Sequence, residues 1–158
     1  LGSAFKGDGS FSLDCVVPVL GSKAWPPKPG DEAKASFVVN NEASFKAKLA
    51  ERTMPNFYWV IDRALELSGG LARNSIGYLA VLHFKRSAHK AVLAELGLKE
   101  EQSTYLEDYG HIGQNDQLLS IKLGLESGKI QNGDNIVLVG AGLGFVWAAS
   151  VVRWGPII

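Results

Sequence analysis

The sequence predicts an α/β domain: a mixed, mostly parallel five-stranded sheet with helices on both faces. Two observations carry this. Short apolar runs rich in Val, Ile and Leu alternate with longer segments whose apolar residues recur at helical spacing. Such alternation implies βαβ units, whose strands run parallel. The last two apolar runs, Asn135 to Val139 and Phe145 to Trp154, are joined only by Gly140-Ala141-Gly142-Leu143-Gly144. So short a bend admits only an antiparallel pair, which makes the sheet mixed.

The elements follow in order. Gly7 to Ser10 (GDGS) reads as a turn, and Val-rich Phe11 to Leu20 as the first strand. Gly21 to Asp31 carries Pro26, Pro27 and Pro29, which exclude helix and central strand. A surface loop remains, with Trp25 placed to pin it to the body. After a short apolar bridge, Ser36 to Asn40, Asn41 caps a helix with Glu42 in its first turn. Phe45, Leu49, Met54, Phe57, Val60, Ile61, Ala64, Leu65 and Leu67 form its apolar face, read as core. Pro55 is expected to kink or restart this helix, and Gly69-Gly70 to end it.

Ser75 to Leu82 suits a buried strand. Ser87 to Leu96 is a helix with Ala88, Ala91, Val92 and Leu96 inward, stopped by Gly97. Ser103 to Leu106 is a short strand. A helix from about Gly113 to Ser127 carries Leu118, Leu119, Ile121, Leu123 and Leu125 and stops at Gly128. Asn132-Gly133 is a turn before the final pair.

Bulk properties exclude several function classes. The 158 residues suit one domain. Sixteen Lys and Arg balance sixteen Asp and Glu, so there is no electrostatic case for nucleic acid or an anionic membrane. No apolar run reaches the roughly 18 residues of a membrane span. Leu1 to Ser10 is glycine-rich and polar and reads as no signal peptide. The single cysteine, Cys15, excludes an internal disulfide framework and fits a reducing compartment, the cytoplasm. The chain begins without Met, and we expect it to be a piece of a longer protein.

In open α/β sheets, function gathers at the carboxyl ends of strands. His83 and His111 both lie just beyond expected strand ends. His83 has two readings: a packed or solvated residue, or a neutral imidazole acting as oxyanion donor or general acid/base. His111, in Tyr-Gly-His-Ile-Gly, opens a helix whose N-terminus disfavours the imidazolium and keeps a neutral donor. The alternative is a capping or turn residue. His89 lies mid-helix, with nothing to support a site role. The histidines lack zinc-ligand spacing, so no metal is expected. Gly140 to Gly144 precedes no helix, which excludes a nucleotide loop. It is either a plain bend or a source of backbone N–H donors for an oxyanion. Cys15 sits among Leu13, Val16 and Val17 and reads as an inert thiol.

At these residues the chain resembles the thiolase-fold condensing enzymes, most of all β-ketoacyl-acyl-carrier-protein synthase III. The resemblance is carried by LAVLHFKRSAHKAVLAELGL and by YGHIGQNDQLLSIKLGLESGKIQNGDNIVLVGAGLGFVWAASVVRW. The family's Gly-Lys-Ile-x-x-Gly-Asp turn appears as Gly128 to Asp134, and its glycine bend and closing Val-Arg-Trp as Gly142 to Trp154. The similarity covers residues 36 to 154, and 11 to 35 more loosely.

The resemblance implies the C-terminal half of a five-layered fold. Residues 1–35 would lead in from the N-terminal half and residues 36–158 form the C-terminal thiolase-like domain. It implies Claisen condensation of acyl thioesters, with coenzyme A or acyl carrier protein as carrier and no tightly bound cofactor. A cysteine nucleophile belongs to the N-terminal half, from the same protein or a partner subunit, and the whole enzyme is expected to be a homodimer. The family histidine matches His83, with Phe84-Lys85-Arg86 replacing Gln-Ala-Asn beside the pantetheine channel. Phe84 and Arg86 thereby become substrate-binding positions. The family asparagine matches His111; elongating synthases of the same fold carry histidine there. His83 and His111 are thus expected as paired catalytic donors, with the Leu143 amide, flanked by Gly142 and Gly144, serving a second oxyanion hole. Isolated, the half should be inert and expose a large apolar face. The alternatives are a non-catalytic partner subunit and an acyltransferase forming an ester or amide.

Overall fold

A computed structural model describes residues 1–20 and 25–156. The sheet has four strands: β1 (Gly2–Gly7), β4 (Ile76–Val81), β5 (Asn135–Gly142) and β6 (Val146–Arg153), in the order β1-β6-β5-β4. A separate two-residue ladder joins β2 (Cys15–Val16) to β3 (Val38–Val39). The helices are α1 (Glu42–Leu67), α2 (Arg86–Leu96) and α3 (Asp116–Glu126).

The α/β class and the closing hairpin agree with the sequence reading. β5 and β6 pair antiparallel from Asn135–Arg153 to Gly142–Val146. Their loop is Leu143-Gly144-Phe145, with φ of +96° at Gly144 and +58° at Phe145. Glycine accepts that backbone freely. Phe145 is held in it by packing: its ring stacks on Phe11 at 4.2 Å and meets Phe45 edge-on at 5.5 Å.

Strand number and direction depart from expectation. Among the described residues the sheet has four strands instead of five, and of its three ladders only β4–β5 is parallel. Ser103 to Leu106 supplies a single parallel bridge, Leu79–Ser103, and the chain then turns away. Phe11 to Leu20 yields only β2, preceded by a 3₁₀ turn at Gly9–Phe11; Pro18, which lacks an N–H, follows the paired residues closely. The antiparallel edge is instead β1, whose Gly2, Ser3 and Gly7 hide a strand pattern.

Two further expectations are corrected. α1 runs unbroken through Pro55. Proline forfeits one bond to the carbonyl of Glu51, an exposed residue, while Phe57, Val60, Ile61, Ala64 and Leu65 bury beyond it. Its Asn41 cap is as expected, the side chain accepting from the Ser44 N–H at 3.0 Å. Trp25 is 73 % exposed and does not pin its loop. The Gly21 to Ala24 part of that loop lies outside the described residues.

α1 and α2 cover one sheet face. There Val60, Ile61, Val92 and Leu96 join Leu79, Val81, Val137, Val139, Trp147 and Val151 in the main core. α2 turns His89, Val92, Leu93 and Leu96 inward, so His89 takes part in the buried face and Ala91 faces solvent. α3 covers the opposite face, over β4 and β5. It buries a small polar row, Asp116, Ser120 and Gly124, while Leu118 is 60 % exposed. This close approach needs Gly124: a Cβ there would lie 2.8 Å from the Tyr78 ring and hydroxyl. That hydroxyl donates to the Ser120 carbonyl at 2.7 Å. Beyond α3, the β1–β6 part of this face is open, and Phe5, Val146, Ala148 and Val152 are exposed on it. Among the described residues no helix is long and apolar enough to cross a membrane.

Candidate active site

The parallel pairing of β4 and β5 brings their carboxyl ends to one edge of the sheet. His83 follows β4 there, and the Gly140 to Gly144 bend closes β5. The amino end of α3 arrives at the same edge with Asp116, which is fully buried. One carboxylate organises the region. Asp116 Oδ2 accepts the His83 backbone N–H at 2.7 Å and lies 2.6 Å from His111 Nδ1. Asp116 Oδ1 accepts the Ile112 N–H at 2.8 Å. Burial alone would raise this carboxyl, but the His83 and Ile112 amides and the His111 ring bring it below the usual carboxylate range.

His111 therefore does not open a helix. It sits in the loop before α3, between Gly110 (φ +69°) and Gly113 (φ +73°), which fold the loop so that the ring meets Asp116. A carboxylate, instead of a helix end, is its neighbour. The ring lines a cavity of about 500 Å³ with Leu82, Gln117, Gly140, Gly142 and Leu143. Gln117 Nε2 donates to the Val139 carbonyl at 2.9 Å, bracing α3 against β5 beneath that cavity. The Leu143 amide lies beyond the last ladder pair, Gly142–Val146, with Gly144 next to it in the bend.

The His83 ring takes another direction. It lies against Tyr105, centroids 4.8 Å apart, and its Nδ1 is buried with no partner among the described residues. The Arg86 guanidinium sits 4.4 Å from the centre of the same tyrosine and pairs with Glu107. Arg86, His89 and Tyr105 line a second cavity, of about 380 Å³, with Lys90, Ser103 and Lys129. Phe84 packs between Phe57 (5.9 Å) and His89 (6.4 Å). The structure thus brings His111, Gly142 and Leu143 to one cavity and ties the His83 backbone to them through Asp116. It places Arg86 at the other cavity and Phe84 in packing. Cys15 is half-buried against the main core.

Sequence reasoning missed Asp116 and Tyr105. The signal for Asp116 was a carboxylate at the start of a helix, one turn after His111. Tyr105 gave none, being hidden in an expected strand.

His89 sets a pH dependence. Burial first, then His83 and Arg86, push its imidazole down from 6.5 to about 4. Between those values the unfolded chain binds the proton and the folded chain does not. Stability is therefore complete above about pH 6.5 and falls as pH drops through about 4, by on the order of 3 kcal/mol. Urea midpoints across this window should fall for the native chain and flatten for His89→Leu. Equal slopes for both would contradict the assignment.

Residues 67–154 match the family described as 3-oxoacyl-[acyl-carrier-protein] synthase III, C terminal. The chain is 30 % identical over 156 residues to the β-ketoacyl-[acyl-carrier-protein] synthase III of Oceanobacillus iheyensis, covering 98 % of this chain and 47 % of that protein. It is 31 % identical over 157 residues to the Clostridioides difficile protein of the same name, covering 96 % and 45 %. The chain thus spans about half the length of the curated relatives it matches. Among solved structures, 3-oxoacyl-(acyl carrier protein) synthase III of Pseudomonas aeruginosa aligns with a TM-score of 0.71 at 20 % identity, covering all of this chain and 45 % of that one. The Thermus thermophilus synthase III aligns at 0.69 and 22 %, covering 98 % and 46 %. These two likenesses are of fold, a thiolase-like half. The family match takes in β4, α2, α3 and the β5–β6 hairpin, with His83, His111, Asp116 and the glycine bend inside it, and the chain belongs to the family of 3-oxoacyl-[acyl-carrier-protein] synthase III C-terminal domains.

Proposed function

We propose that this chain is the C-terminal half of an acyltransferase catalysing Claisen condensation of acyl thioesters. The observation that carries this is the shared cavity of His111, Gly142 and Leu143, joined to His83 through one buried carboxylate. His83 and His111 are the catalytic residues for the second thioester, and the Leu143 amide is an oxyanion donor. Arg86 and Phe84 flank the approach of the carrier, coenzyme A or acyl carrier protein. No tightly bound cofactor is required. Residues 1–35 lead in from the N-terminal half, lending β1 to the sheet, and residues 36–158 carry the domain.

The cysteine nucleophile comes from that N-terminal half, in the same protein or a partner subunit, and the whole enzyme is a cytoplasmic homodimer. The open apolar strip of Phe5, Leu118, Val146, Ala148 and Val152 supports a covering half. Native mass beside denatured mass tests it. A second chain that co-purifies and labels with iodoacetamide at one cysteine is the expected result. A chain that runs alone or self-paired contradicts a partner subunit and leaves only a half supplied by the same protein.

A second reading has its own observation. The His83 ring lies against Tyr105 and outside the His111 cavity, as a non-catalytic partner subunit would tolerate.

A further inference from the structure

The two histidines are not equivalent. Asp116 accepts two backbone N–H groups and is ionised, so it has no proton to offer His111. In the 2.6 Å contact the donor is therefore Nδ1–H of the imidazole. In its neutral form the imidazole carries one ring proton, so Nε2 is then bare, on a ring that lines the cavity with the Leu143 loop. A bare ring nitrogen accepts a proton; it does not donate to an oxyanion. This departs from the expected pair of neutral donors.

We infer that the acyl acceptor of this site is one that gives up a proton to His111 Nε2, and not one that makes its nucleophile by losing carbon dioxide, with Asp116 as the positioning residue. The inference rests on acyl transfer from a cysteine thioester, as read above, and names the acceptor class: a carbon acid, as in the Claisen reading, or an alcohol or amine, as in an ester- or amide-forming acyltransferase. The step balances. The proton of the acceptor X–H moves to Nε2 as X bonds the carbonyl carbon of a cysteine thioester held by the N-terminal half. The C–S bond then breaks, and the departing thiolate takes the proton back from His111. Asp116 stays ionised throughout and holds the imidazolium between the two transfers.

The tautomer is measurable on this chain without substrate. Two-bond ¹H–¹⁵N correlation spectra of ¹⁵N-histidine-labelled protein, above the pH where the ring protonates, should show His111 protonated at Nδ1 and bare at Nε2. Asp116→Asn should abolish that preference while the amide spectrum stays folded. If the variant unfolds, the native spectrum decides alone. A native His111 protonated at Nε2 overturns the inference. In the assembled enzyme, turnover with a non-carboxylated acyl thioester, an alcohol or an amine supports it and distinguishes the three acceptors. Turnover only with a malonyl thioester, with release of carbon dioxide, overturns it. No turnover with any acceptor, the malonyl thioester included, overturns the acyl-transfer reading, whereas turnover with the malonyl thioester alone leaves that reading standing and overturns only the acceptor assignment.

Discussion

His111→Ala is expected to lower turnover of the assembled enzyme by about 10²- to 10⁴-fold, the range for removing a positioned proton-transfer group. If His111 acts as proposed, the effect should fall on kcat with little change in KM, because a proton-transfer group acts on the reacting atoms and not on the carrier. Folding should survive. The His111 side chain is more than half exposed, and Asp116 keeps the His83 and Ile112 amides as partners. Steady-state kinetics with a thermal melt as control would check both. A loss under tenfold contradicts a proton-transfer role.

Trp147→Ala should cost about 3–5 kcal/mol of stability. Trp147 is 1 % exposed near the start of β6, in the main core near Phe11. Its Nε1 has no hydrogen-bond partner among the described residues, so packing is its whole contribution. Truncation leaves a cavity between sheet and α1 that a hairpin locked from Asn135 to Arg153 cannot close. Against a typical total of about 5–15 kcal/mol, that is a large fraction of the stability, and the variant should unfold at a clearly lower denaturant concentration. The denaturant midpoint reads this directly, and a change below about 1 kcal/mol would contradict the core assignment.

Legibility followed the length scale of each signal. The β5–β6 hairpin was plain because two apolar runs flank a bend too short for any other connection. The α1 cap and the Gly97 stop were plain because capping is local. The direction of the sheet was not. Alternating helices and strands implied parallel pairing, but β1 pairs across nearly the whole chain with β6, and no local pattern announces that. The facing of α3 was not legible for a related reason. Its apolar residues Leu118, Leu119, Ile121, Leu123 and Leu125 single out no one face, whereas Tyr78 needs the small row Ser120 and Gly124 opposite its hydroxyl. His83 and His111 were singled out from their place after expected strands. Asp116, which joins them, was absorbed into an expected helix start at Gly113, so His111 was read against a helix end and not against the carboxylate beside it.

The most direct test of the account is acyl transfer by the assembled enzyme, native against His83→Ala. If His83 acts in catalysis, as its tie to Asp116 beside the His111 cavity supports, turnover should fall by about 10²-fold or more while assembly is unchanged. Unchanged turnover in an intact assembly would contradict the catalytic account and leave this chain the role of a scaffold for another subunit's chemistry.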